Sequence, residues 1–79
     1  MNDNSIELIL NCVSWQEAQR VVDVLLKKQL AEKTEILTVQ NTQKVHIIVN
    51  TKARHLEKIK LETAQLPTAV IVSSFSLVQ

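Results

Sequence analysis

The sequence predicts a small α+β domain built in the order β-α-β-β-α-β. Three patterns carry that expectation. Apolar residues alternate with polar ones near the start and again around Val45, as one face of a sheet requires. They recur at three- and four-residue steps in two other stretches, as a helix stripe requires. Pro67 then divides the second stripe from a Val- and Ile-rich end. Seventy-nine residues hold one domain, 1–79, around one modest core. Hydrophobic residues make up 46% of the chain and charged residues 22%, the balance of a folded protein rather than a disordered one.

Ser5 to Asn11 reads as the first strand, because Ile6, Leu8 and Leu10 alternate with Ser5, Glu7 and Asn11. Ile9 breaks the pattern and puts an apolar side chain on the opposite face. Ser14 to Glu17 matches the S-x-x-E capping box, in which a hydroxyl and a carboxylate satisfy backbone N–H groups at a helix start. From Trp15 to about Lys33, Ala18, Val21, Val22, Leu25, Leu26 and Leu30 form one apolar stripe. Glu17, Arg20, Asp23, Lys27 and Lys28 fall largely off it, acids early and lysines late, as the helix dipole favours for a solvated face. Thr34 to Val39 and Val45 to Asn50 are β-rich runs joined by Gln40, Asn41, Thr42 and Gln43, a polar hairpin connection. Thr51 to Leu66 turns helical, with Leu56, Ile59, Thr63 and Leu66 on one stripe, and Pro67 stops it. Thr68 to Val78 supplies the last strand.

That order is the one found in the ferredoxin-like split βαβ arrangement, a four-stranded antiparallel sheet with two helices on one face. An open sheet with different strand pairing is the alternative. Two helices cover only one face, so the polarity of the other decides whether the domain can live alone. The uncovered face is expected to be too apolar. Ile9 points away from Ile6, Leu8 and Leu10; Ile48 points away from Val45, Ile47 and Val49, together with His46; and both parities of the last strand are apolar, with Ile71 and Phe75 on one and Val70 and Val72 on the other. Exposed patches of this kind mark protein contacts. Ile9, Ile48, Ile71 and Phe75 are therefore the candidate interface of a self-associating protein, weighed against the ordinary reading of scattered surface apolar residues.

Nine Lys and Arg nearly cancel eight Asp and Glu, and a net charge of +1 offers no electrostatic attraction to nucleic acid or an acidic membrane surface. Cys12 is the only cysteine, which rules out an intramolecular disulfide and points to a reducing compartment. No basic residue precedes an apolar run at the start, and no apolar run approaches the roughly 20 residues that span a bilayer, so a cytoplasmic protein with no membrane partner is expected. Glycine is absent, which removes glycine-rich phosphate cradles and flexible linkers.

With the elements placed, the chain resembles the CutA family of divalent-cation-tolerance proteins, related in fold to PII signalling proteins. Three stretches carry the likeness. ILNCVSWQEAQRVVDVLLKKQL, ending at Leu30, looks like the family's apolar strand, turn, E-A helix start and basic helix end. VHIIVNT, Val45 to Thr51, is similar to its second apolar strand, with Asn50 in place of a lysine. Leu66 and Pro67 ahead of a Val- and Ile-rich strand resemble the histidine and proline before its last core strand. Trp15 stands where proline is usual, Thr68, Ala69 and Val72 replace a tyrosine and glutamates, and the central hairpin is cut to a tight connection, so the likeness is to a shortened, divergent member. The resemblance implies a homo-oligomer, a trimer by preference, and a non-enzymatic role in metal binding, metal tolerance or small-ligand sensing.

The resemblance also implies a metal role for Cys12, with copper or another divalent metal as cofactor, because some family members carry a cysteine at this place. The residues themselves favour a small buried hydrophobe. One thiolate is not a site, and His46 and His55 show no metal-type spacing to it or to each other. Enzymatic readings each lack a named part. Cys12 has no base nearby in sequence, Asn11 to Ser14 has neither the glycines nor the arginine of an acylphosphatase loop, the C-x-x-C of a metallochaperone is missing, and Trp15 and Phe75 are too few aromatics for an RNA-stacking sheet. Trp15 serves either as packing over the helix start or as an interface anchor.

Overall fold

In the computed structural model, residues 4–42, 44–66 and 70–76 are described. They form an α+β fold in which two helices pack on an antiparallel sheet. The first strand, β1 (Ser5–Cys12), and the third, β3 (Val45–Lys52), alternate between buried and half-buried residues along their whole length. They pair antiparallel with Leu8 opposite Val49 and Leu10 opposite Ile47, so the buried side chains of the two strands lie side by side on one face. That face meets Ala18, Val21 and Leu25 of the first helix, α1 (Trp15–Lys27), and Ile59 of the second, α2 (Leu56–Ala64). Burying each large aliphatic side chain here contributes roughly 1.5–3 kcal/mol.

The capping box at Ser14 forms with one change. Ser14 is the N-cap, extended at φ −154°, and its Oγ accepts the Glu17 N–H at 3.2 Å. The Glu17 carboxylate accepts from the Val13 N–H at 3.4 Å, one residue ahead of the cap. The helix stops at Lys27, short of the expected end near Lys33. The cause is a Schellman reversal: Gln29 takes φ 57°, the Leu30 N–H donates to the Leu25 carbonyl at 2.8 Å, and the Gln29 N–H donates to the Leu26 carbonyl at 3.1 Å. Leu30 is in the core, as its place in the apolar stripe requires, but it arrives there from beyond the helix, next to Leu25. Leu26 lies off the buried stripe and is 48% exposed.

The second strand, β2 (Lys33–Thr38), pairs with β3, and the link from Val39 to Lys44 turns at Asn41, which takes φ 64°. Asparagine tolerates this left-handed geometry better than most residues. Helical structure does not begin at Thr51, contrary to expectation. Thr51 and Lys52 continue β3, paired with Ile6 and Ser5 of β1, and the chain then makes a 3-10 turn, Ala53–His55, before α2. Thr51 is buried and its hydroxyl donates to the Leu30 carbonyl, while the Ala53 N–H donates to the Asn4 carbonyl at 2.8 Å. These tertiary bonds outweigh the helical periodicity of the segment. Lys28 and Glu62 join α1 to α2 by an ion pair of 2.7 Å.

The strand order is β2-β3-β1-β4, with β4 (Val70–Ser76) on the free side of β1. The side chains of β1, β2 and β3 are described throughout, whereas β4 is described by its backbone pairing and by Ile71. Ile9 pairs with Ser73 but Leu10 with Ile71, a bulge that passes over Val72. One extra residue reverses the parity of the strand. Ile71 is consequently in step with Leu10 and packs against the core under the helices. This corrects the expectation that Ile71 belongs with Ile9 on the outer face. The expected strand residues Thr68, Ala69, Leu77 and Val78 lie outside the described residues.

Candidate functional site

The face of the sheet turned away from both helices is built from the other parity of β1, β2 and β3. Its centre is a direct cross-strand pair, Ile9 with Ile48, both half-buried. Glu35 stands beside Ile48 on β2. One row further along, Leu37, His46 and Asn11 lie in register, and Leu37 is 42% exposed. The row on the other side is Lys33, Asn50 and Glu7. Beyond it, Lys52 donates from Nζ to Ser5 Oγ at 3.1 Å. The face is therefore an apolar spot of Ile9, Ile48 and Leu37 framed by polar and charged groups, rather than a wholly apolar sheet.

Asn11 adds an unexpected feature. Its Oδ1 is buried and has no hydrogen-bond partner. A buried acceptor left unsatisfied costs about 1–3 kcal/mol. Sequence reasoning singled out neither Leu37 nor the buried amide of Asn11 as features of this face. The available signal was parity: Asn11 is two residues from Ile9, and Leu37 follows directly on Ile36, so one of those two must point outward. Phe75, the remaining interface candidate, has its backbone opposite Glu7, and its side chain lies outside the described residues.

Cys12 sits at the end of β1 opposite Val45, fully buried on the helix-facing side. Burial pushes its thiol up to about 11, with help from the charge of the nearby Glu17 carboxylate and from its hydrogen bond to that carboxylate. The thiolate that a metal would bind is thereby disfavoured near neutral pH. His46 belongs to the opposite face, because it pairs with Asn11, the residue before Cys12. His55 follows the far end of β3, roughly 23 Å from Cys12 along a strand of this length. Among the described residues no group of three or more His, Cys, Asp or Glu is placed to hold a metal ion. The fold thus keeps Cys12, His46 and His55 apart within one chain.

On the helix side, a shallow groove between α1 and α2 is lined by Arg20, Asp23, Glu62, Gln65 and Leu66. Trp15, at the first position of α1, is 49% exposed, and Val13, two residues before it, is 51% exposed. Among the described residues no helix is long and apolar enough to cross a membrane. Comparison with protein-family models, with curated proteins and with solved structures gives no match to this chain.

Proposed function

We propose that this chain is a shortened CutA-like module of the ferredoxin-like, split βαβ kind, whose work is self-association rather than catalysis. Copies meet through the open sheet face around Ile9 and Ile48. The observation that carries this reading is the pairing of these two isoleucines side by side at the centre of the face that no helix covers. A lone surface isoleucine needs no explanation, whereas a cross-strand pair with Leu37 in the neighbouring row is a contiguous patch. The strand order β2-β3-β1-β4 supports the fold part of the reading, since β1 and β3 are then central and the helices share one side.

The resemblance brings a trimer and a divalent metal such as copper. The buried, protonated thiol of Cys12 lends the metal part no support, so an interaction module without a ligand site takes precedence. The single unpaired cysteine accords with a cytoplasmic setting. Sedimentation equilibrium of the wild type and of Ile48→Asp tests the reading. The wild type is expected to associate and the variant to sediment as a monomer. A wild-type monomer at the highest attainable concentration sinks it.

A further inference from the structure

We infer that the partner of the open face is a second copy related by a twofold axis that runs parallel to the strands, midway between β1 and β3. This rests on the self-association reading and adds its geometry, a closed pair in place of the trimer that the resemblance implies. The register of β1 and β3 pairs Ile9 with Ile48, Asn11 with His46 and Glu7 with Asn50. Rotation about an axis parallel to the strands lays β1 of one copy over β3 of the other at the same level. Ile9 then covers Ile48 of the second copy, and Ile48 covers its Ile9, so four isoleucines close the centre.

The polar positions also complement one another under this rotation. Asn11 lies over His46 of the second copy, twice per dimer. The Asn11 amide, donor and acceptor in one group, meets an imidazole that carries both functions as well. Glu7 lies over Asn50 of the second copy with Lys52 one row further along, which gives the carboxylate an amide and an ammonium to meet. The competing twofold, running across the strands through the Ile9 row, stacks Glu35 on Glu35 and Leu37 on Lys33. Like charges and a mismatched apolar residue oppose that choice.

Size is sufficient for a specific but modest contact. Four strands at about 4.8 Å spacing and seven residues at about 3.3 Å rise give a face of roughly 400 Å² in plan. Two such faces with their side-chain relief bury on the order of 1,000 Å² in all, the lower end for a biological interface. Sheets packed face to face at about 10 Å with nearly aligned strands satisfy this geometry.

The test mixes two charge variants of the full chain, Ile9→Lys and Ile48→Glu, with circular dichroism confirming that each folds. Each alone is expected to weaken association roughly a hundredfold, because an unpaired charge enters an apolar centre. Mixed in equal amounts, they are expected to form a heterodimer within about tenfold of wild-type affinity. The introduced ammonium of one chain then faces the introduced carboxylate of the other, while the second central contact stays isoleucine on isoleucine. Loss in each variant without rescue on mixing overturns the twofold and leaves the open-face reading standing. A wild-type monomer, or variants that associate as tightly as wild type, overturns both. If either charge variant fails to fold, Ile9→Thr and Ile48→Thr keep the β-branched shape. Each is then expected to weaken association about tenfold, and unchanged association refutes the contact.

Discussion

Replacing Gln29 by glycine is expected to stabilise the domain, although nothing in the Gln29 side chain is removed from a contact. Gln29 is exposed and holds φ 57° at the end of α1. That region costs a residue with a Cβ about 1–2 kcal/mol and costs glycine nothing, although glycine loses roughly 0.5–1 kcal/mol of extra freedom on folding. The net gain is about 0.5–1 kcal/mol. For a chain of 79 residues, an unfolding entropy of about 2.1 cal/mol/K per residue converts this into a rise in Tm of roughly 3–6 °C. Thermal and urea unfolding followed by circular dichroism measure it, with Gln29→Ala as the control that retains the Cβ and is expected to leave Tm near wild type. A lower Tm for Gln29→Gly, or an equal rise in both variants, refutes the claim that the Leu30-to-Leu25 reversal hinges on left-handed backbone at this residue.

Thr51→Val retains the side-chain shape but removes the buried hydroxyl that donates to the Leu30 carbonyl. A loss of about 1–3 kcal/mol is expected, read as a lower urea midpoint with unchanged slope, and a neutral result denies that this bond holds the end of β3 against the helix terminus. Cys12 makes stability depend on alkaline pH. Because folding raises its thiol from 9.0 to about 11, the folded state holds the proton more tightly. The stability this contributes is complete below pH 9 and lost as pH rises through 11, about 2–3 kcal/mol in all. Cys12→Ala is expected to flatten that decline, and a decline of equal steepness in the variant assigns it to other groups. Ser14→Ala removes the acceptor of the Glu17 N–H and is expected to cost about 1 kcal/mol, measured as a lower Tm.

What could be read in advance depended on whether the cause was local. The capping box at Ser14 needs only residues three apart, and the start of α1 at Trp15 follows it. The alternation of β1 and β3 is equally local, and so is the outward parity of Ile9 and Ile48. The end of α1 was not legible, because the usual signal is glycine and this chain has none, leaving Gln29 to take the reversal. The length of β3 was hidden for a different reason. Thr51 and Lys52 lie between the strand and the helical stripe that starts at Leu56, and they join the strand because β1 offers Ile6 and Ser5 as ladder partners and Leu30 offers a carbonyl.

The candidate site divides along the same line. Ile9 and Ile48 could be placed on the outer face from alternation alone, because a side chain two residues from a buried one shares its direction and its immediate neighbour does not. That they touch each other is a matter of register, which only the pairing of β1 with β3 decides. Sequence reasoning puts Ile71 on the wrong face because the bulge at Val72 inverts the parity of β4, and a bulge made of ordinary β-branched residues leaves no mark in composition. The orphaned oxygen of Asn11 and the elevated thiol of Cys12 are likewise tertiary facts, since both arise from what lies against the side chain in space. Sequence by itself determined the α+β class, the start of α1, the alternation of β1 and β3, and the outward isoleucines. Tertiary structure decided where elements stop, which strands adjoin and which buried groups go unpaired, because those outcomes are set by contacts between residues far apart in the chain.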